Sequence, residues 1–406
     1  MKIAIIGGGA AGCFAAANIP AGPDHEVVVY EKTGKLMQKV KASGGGRCNV
    51  THDCIDPEQL STYYPRGRNW VKKSAYDFGP ADTIAWFEAR GVALKTEPDG
   101  RMFPVTDDSQ SIIDCIRAEM LRKKVAVCFH KPVEKIIKQD DGFVLRFADG
   151  SSAPADRVLV TTGGAPRTGQ YHWLEELGHT IAPPVPSLFT FNMPQNPITQ
   201  LMGVAVADAT VKIQGTKIET GGPVLITHWG LSGPAILRAS AFAARELAVW
   251  NYEFDVLINW AGDASHQDLK DAIESRKKEL GKQLVMSRNL YPEKIPRRLW
   301  EYLAAQSGIA DNTRWGELKA PMQKMLTSNL IAYPLRVTGK TTFKEEFVTC
   351  GGVTPAEIDR KSMESKVVDG LFFAGEVMDI DGVTGGFNFQ HAWNSAWIAA
   401  NHISKV

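Results

Sequence analysis

Between Ile3 and Glu31 the chain runs through an apolar strand (Ile3, Ala4, Ile5, Ile6), the triplet Gly7-x-Gly9-x-x-Gly12, a helix of small residues, a second apolar run from Val27 to Tyr30, and an acid. This order specifies a βαβ unit that wraps the phosphates of an adenosine dinucleotide. Gly7 permits the sharp strand-to-helix turn, Gly9 lets the backbone approach a pyrophosphate, and Gly12 lets the helix lie close to the sheet. Ala10 and Ala11 open the helix, whose free N–H groups face the phosphates. Glu31 ends the second strand where an acid accepts hydrogen bonds from the adenosine ribose, and its charge repels a 2′-phosphate.

The 406 residues, 44% of them apolar, can bury a full core and fill two or three domains. A formal charge of +1 gives no global attraction to nucleic acid or membrane. The six cysteines contain no CxxC pair, which argues against a disulfide framework or a dithiol redox centre and suits a reducing cytoplasm. Cys48, His52 and Cys54 lack a fourth ligand and a regular spacing, so no metal site is expected. The apolar stretch Ile3 to Ala17 is expected to be part of the fold, because a secretory leader carries no glycine triplet at this spacing. No run approaches the ~18 to 20 apolar residues of a membrane span, and no feature marks an obligate protein partner.

Beyond the βαβ unit, Ser43-Gly44-Gly45-Gly46-Arg47-Cys48-Asn49 reads as a loop whose backbone lies against something flat or charged. Helices are expected over Pro80 to Arg90 and Ser109 to Lys123, a turn at Gly100 to Pro104, and strands near Val125 to His130, Lys135 to Lys138 and Phe143 to Phe147. Arg157 to Thr162 is an apolar strand running into Gly163-Gly164. Pro183 to Ser187 is too proline-rich for helix or interior strand and marks a boundary. Alternating segments between Ser187 and Thr227 then suggest an antiparallel sheet or small barrel, followed by a helix over Pro234 to Ala248, a strand over Tyr252 to Ile258, a basic helical stretch over Ala264 to Leu326 and a strand over Pro334 to Phe347. The expected division is a nucleotide-binding domain in two parts, 1–186 and 347–406, interrupted by a barrel insertion, 187–262 with 327–346, and a helical insertion, 263–326.

The second half of the site is distant in sequence. Gly370 to Gly375 is a buried-looking strand whose end places Glu376 where a ribityl hydroxyl can donate to it. Asp379 to Gln390 leads through Gly385-Gly386 into a helix whose positive end suits the pyrimidine side of a reduced isoalloxazine. These features favour FAD over NAD.

The fingerprint with Glu31, Ser43 to Asn49, Gly100 to Pro104, Thr161 to Gly164, Thr227-His228-Trp229-Gly230-Leu231-Ser232-Gly233-Pro234-Ala235, Met363 to Lys366 and Gly375 to Gln390 occur in one order. Together they resemble the bacterial aminoacetone-oxidase-type family of FAD-binding proteins, among the glutathione-reductase-like flavoproteins. The resemblance implies an α/β fold: a three-layer Rossmann-like FAD domain carrying an inserted antiparallel β-barrel and a small helical insertion. It implies FAD contacts at Gly7, Gly9, Ala10, Ala11, Gly12, Glu31, Lys32, Gly45, Gly46, Arg47, Cys48, Val133, Thr162, Gly163, Gly164, Gly375, Glu376, Gly385, Gly386, Phe387 and Asn388. Glu376 stands where the wider superfamily often has aspartate, and Thr161-Thr162-Gly163 where it often has Ala-Thr-Gly.

Flavin supplies hydride or electron chemistry, and the protein supplies position and electrostatics. Without a second fingerprint or a CxxC pair, any NAD(P)H docks transiently as reductant. The residues weighed for chemistry are His228 as proton donor, Arg101, and Cys48 as a thiolate favoured by Arg47. Each also has a structural reading, and Arg47 has two: phosphate partner or tie of the glycine loop. Three functions follow. The first is an FAD-dependent oxidoreductase of a small amine or carbonyl metabolite. The second is reduction of a uridine in ribosomal RNA, which the basic stretch Arg276 to Arg298 favours. The third is a non-enzymatic, FAD-stabilised interaction protein.

Overall fold

The computed structural model describes residues 1–20, 25–165, 169–341 and 348–405. The chain divides into two units, residues 1–186 with 343–406, and residues 187–342. The junction expected at 346/347 and the end of the strand expected to reach Phe347 lie outside the described residues.

In the first unit five parallel strands lie in the order Leu371–Phe373, Arg157–Val160, Lys2–Ile6, Glu26–Tyr30, Ala126–Cys128. Their central residues, among them Ile5, Val29, Leu159 and Phe372, are fully buried, as in a parallel sheet covered on both faces. The Ala10–Asn18 helix and the Phe387–His402 helix pack together, with the Phe14 ring 5.0 Å from Trp393. That contact joins the two ends of the sequence. Helix Ser109–Arg122 is capped by Asp108, whose carboxylate accepts from Gln110 N. The strands expected near Lys135 to Lys138 and Phe143 to Phe147 are present as a hairpin, Val133–Gln139 with Gly142–Phe147, extended by Ser152–Ala155.

Two local expectations change. Arg101–Pro104 is a strand, paired with Thr51–His52 and Leu94–Thr96, where a turn was expected. The proline-rich boundary lies within Ile181–Ser187, a strand of a two-stranded sheet with Val348–Val353; among the described residues Ile181–Ser187 pairs with one neighbour only, an edge position that prolines tolerate.

The second unit carries a seven-stranded antiparallel sheet in the order Tyr333–Val337, Phe254–Asn259, Ala205–Ile213, Glu219–Thr227, Gly230–Ser232, Thr190–Asn192, Gly339–Thr341. Its described pairings run from edge to edge, so the barrel expectation reaches an antiparallel sheet and no further. The helix expected over Pro234 to Ala248 is two, Pro234–Phe242 and Ala244–Val249. Helical residues Leu269, Ile273, Trp300 and Leu326 share one apolar core with sheet residues Val211, Ile226 and Val256. The basic helical stretch therefore packs as part of this unit. Among the described residues, no helix is long and apolar enough to cross a membrane.

Candidate cofactor groove and its two ends

At the carboxyl end of the first strand the three glycines have three different surroundings. A β-carbon at Gly7, which has φ +108°, would lie 2.5 Å from the Thr161 carbonyl oxygen. One at Gly12 would collide with the Gly7 carbonyl oxygen, so the helix sits as near the sheet as a glycine allows. Gly9 has nothing within 4 Å on its β-carbon side: it faces the open groove that a pyrophosphate needs. Ala10, Ala11 and Gly12 form the first helical turn, whose N–H groups have no acceptor within the helix.

Glu31 is buried, and its carboxylate is oriented from two sides. Gly8 N donates to one oxygen at 2.8 Å and Thr33 N to the other at 2.8 Å. Each oxygen keeps lone-pair capacity for a ribose hydroxyl. Lys131 N donates to Glu31 O and His130 N to Thr33 O, so the segment leading to Val133 starts beside the ribose acid. Lys32 is exposed.

Across the groove, Thr161 Oγ1 donates within reach of the Ile6 and Gly7 carbonyls at 3.0 and 2.9 Å, binding the central strand's neighbour to the fingerprint. Thr162 is exposed, and Gly163 has only Glu376 Oε2, at 3.8 Å, near its β-carbon position. A β-carbon at Gly164 would lie 2.6 Å from Glu376 Oε1, so this glycine pair makes the room that Glu376 occupies. Glu376 accepts from Thr349 N at 2.9 Å and from Lys39 Nζ at 2.7 Å. Gly375, φ +77°, meets Ala11 at its β-carbon position and donates its N–H to Ser395 Oγ, tying fingerprint helix, strand end and C-terminal helix at one point.

The far end of the groove is built by side chains on backbone. Gly386 has φ +93°, and a β-carbon there would lie 2.5 Å from the Thr51 carbonyl oxygen. With its amide set so that both ends are satisfied, Asn49 donates to Thr51 O and accepts from Gly386 N. Tyr64 donates its hydroxyl to Phe387 O at 2.6 Å, Val383 N donates to Tyr63 O, and Phe387 stacks on Tyr63 with centroids 4.3 Å apart. Arg66 and Asp381 form an ion pair in which Asp381 is wholly buried. His391 is buried against the Gly375 backbone. Burial pushes it down to about 4, against the opposing pull of the Gly375 backbone and Glu376, so it is neutral near pH 7.

Several of the side chains weighed for the site have protein partners of their own. Arg47 is the tie of the glycine loop: it pairs with Glu97 at 3.0 Å and Asp107 at 3.6 Å, and lies over the Phe103 ring at 4.0 Å. Cys48 is fully buried, and burial pushes its thiol up to about 12, which removes the reactive thiolate. Arg101 pairs with Asp99 at 2.8 Å. The Asn388 amide closes on Gly382, accepting from its N–H at 2.9 Å and donating to its carbonyl at 2.8 Å, so this side chain holds the loop. His228 lies in the second unit, exposed, in the turn between Glu219–Thr227 and Gly230–Ser232, with its ring edge-on to Trp229. The sequence reading overlooked Lys39, Tyr64, Arg66, Thr349, Asp381 and His391 as parts of this site. Only Asp381-Gly382, a turn signal just before the Gly385-Gly386 helix start, gave a local hint.

Gly9, Gly45 and Gly46 have empty space where a β-carbon would stand, and Gly163 has nearly so. Backbone left bare at these points, between two oriented carboxylates, fits an extended dinucleotide such as FAD. Residues 1–402 match the family described as HI0933-like protein Rossmann domain. The chain belongs to that family. It is 30% identical to a ribosomal RNA dihydrouridine synthase of Escherichia coli over 98% of this chain and 97% of the other. It is 28% identical to a 3-dehydro-bile acid delta(4,6)-reductase of Clostridium scindens, covering 98% of both. A solved 3-ketosteroid-delta4-(5alpha)-dehydrogenase of Rhodococcus jostii RHA1 shares the fold at 14% identity, with a TM-score of 0.51 over 98% of this chain and 97% of that one. This HI0933-like chain is an FAD-dependent oxidoreductase.

Proposed function

We propose that the enzyme reduces a carbon–carbon double bond conjugated to a carbonyl group in a ring compound. The observation that carries this reading is the nearly full-length similarity to two relatives, one named for reduction at delta(4,6) of a 3-dehydro-bile acid and one for dihydrouridine synthesis. Both names describe hydrogen added across a ring double bond that a carbonyl polarises, which narrows the expected carbonyl metabolite to an enone or a uracil ring. Bound FAD supplies the hydride chemistry. The chain's part is to seat the adenosine through Glu31, the ribityl side through Glu376, and the pyrimidine side at the positive end of the Phe387–His402 helix, where negative charge is stabilised.

The test is anaerobic. FAD-loaded protein reduced by NADH or NADPH is mixed with a cyclic enone such as a 4-ene-3-oxo steroid, or with ribosomal RNA, while flavin absorbance is followed. The expected result is reoxidation without oxygen by one of them. The motif likeness to aminoacetone-oxidase-type enzymes sets the competing arm: bleaching of oxidised flavin by a small amine, with neither enone nor RNA reoxidising it, overturns the proposal.

Exposed cations in the second unit favour RNA as carrier of the ring. Lys278, Lys282 and Arg288 are exposed, and Arg298 donates to the Gln200 and Met202 carbonyls, so these hydrogen bonds leave its charge unneutralised. Lys278→Glu with Lys282→Glu should lower RNA-driven reoxidation and leave enone-driven reoxidation unchanged; equal RNA rates before and after remove this form of the reading.

A further inference from the structure

A pyrophosphate at the fingerprint carries two negative charges, and Arg47, for which a phosphate partner was one of two readings, is held by Glu97 and Asp107. A different cation reaches across. The segment Leu36 to Lys39 is docked on the fingerprint: Met37 N donates to Gly8 O at 2.8 Å, and the Leu36 side chain fills the space beside Gly8. Met37 adopts φ +52° to start the short helix Gln38–Ala42, and that turn throws Lys39 over the groove to Glu376, 2.7 Å away. Its side chain is 49% exposed and that of Glu376 18%. One end of this strap rests on the backbone that receives phosphate, and the other on the acid that receives the ribityl chain.

We infer that Lys39 is the phosphate-facing cation of the cofactor groove, held by Glu376 until FAD enters and shared with the pyrophosphate afterwards. A lysine serves this role as a mobile point charge, and its three donors can satisfy a carboxylate and a phosphate together. The inference concerns cofactor capture and holds whichever substrate the enzyme reduces.

Binding to the apoprotein is measured with three probes: FAD, ADP and riboflavin. Lys39→Ala should weaken FAD and ADP by roughly tenfold, the scale of one charge-assisted contact at a half-exposed site, and leave riboflavin, which has no phosphate, unchanged. The loss should shrink as salt rises, because screening removes the same interaction. Lys39→Arg keeps the charge and should recover most of the affinity, which separates the role from a folding defect. Glu376→Gln, which releases the strap, should speed FAD association. Unchanged ADP affinity in Lys39→Ala overturns the inference, as does equal weakening of ADP and riboflavin, which marks Lys39 as a mere orienter of Glu376.

Discussion

The adenosine end and the flavin end of the groove are built on opposite plans. At the adenosine end, strand, turn, helix, second strand and acid lie within Ile3 to Glu31, and the decisive contact, Gly8 N to Glu31, spans 23 residues. At the flavin end, Thr51 meets Gln390 across 339 residues, Tyr64 meets Phe387 across 323 and Arg66 meets Asp381 across 315. The first end is a motif and the second an assembly. An end made of one local unit is fixed as soon as that unit forms, whereas an assembled end depends on tertiary packing and should be the first to loosen.

The sharpest way to break this contrast is Asp381→Ala. It leaves the partly buried Arg66 without this carboxylate and should cost about 3–5 kcal/mol of stability in urea unfolding. Riboflavin binding should vanish while ADP binding persists at denaturant levels where the fold remains; parallel loss of both probes would show that the ends are one unit. Next come the glycines. Gly12→Ala forces a β-carbon against the Gly7 carbonyl and Gly386→Ala one against Thr51 O at positive φ, each expected to cost roughly 1–3 kcal/mol. The first should remove ADP affinity and the second riboflavin affinity, as measured by equilibrium titration.

Smaller effects sharpen the division. Glu31→Ala should weaken ADP about tenfold and leave riboflavin unmoved; unaltered FAD retention would sink the ribose assignment. Asn388→Ala unfastens Gly382 and should lower stability by ~1 kcal/mol, with riboflavin affinity falling and ADP affinity steady. The smallest concerns His391. Its folded value, about 4, lies below the ordinary 6.5, so between those values the unfolded chain binds the extra proton and stability falls as pH is lowered. His391→Leu should flatten that part of the pH–stability curve, and a curve of unchanged slope would show that other groups carry it.

The fold was legible where structure follows from neighbours in sequence. The fingerprint, the acid at Glu31, the hairpin around Gly142 and the helix after Gly386 each combine periodicity with a glycine or turn signal. Arg47, Cys48 and Asn388 were legible only in part, for a common reason. Their chemistry suits a flavin site, but tertiary partners at Glu97, the surrounding core and Gly382 had already engaged them, and no local pattern announces such partners. Lys39 was hidden for another reason, since its placement depends on a turn at Met37 that a methionine does not advertise. In the second unit, alternation revealed the antiparallel strands, but it carries no information on strand order across a sheet.

The Phe14–Trp393 contact and the bond from Trp393 Nε1 to Val50 O, 343 residues away, bear on the order of events during synthesis. Once the fingerprint and Glu31 are made, Phe78, Trp86 and Phe87 follow early and can pack on Phe14, whereas Trp393 emerges only near the end of synthesis. Until the last helix docks, the side of Phe14 that Trp393 covers stays bare, an apolar surface of the kind that makes an incomplete domain prone to aggregate.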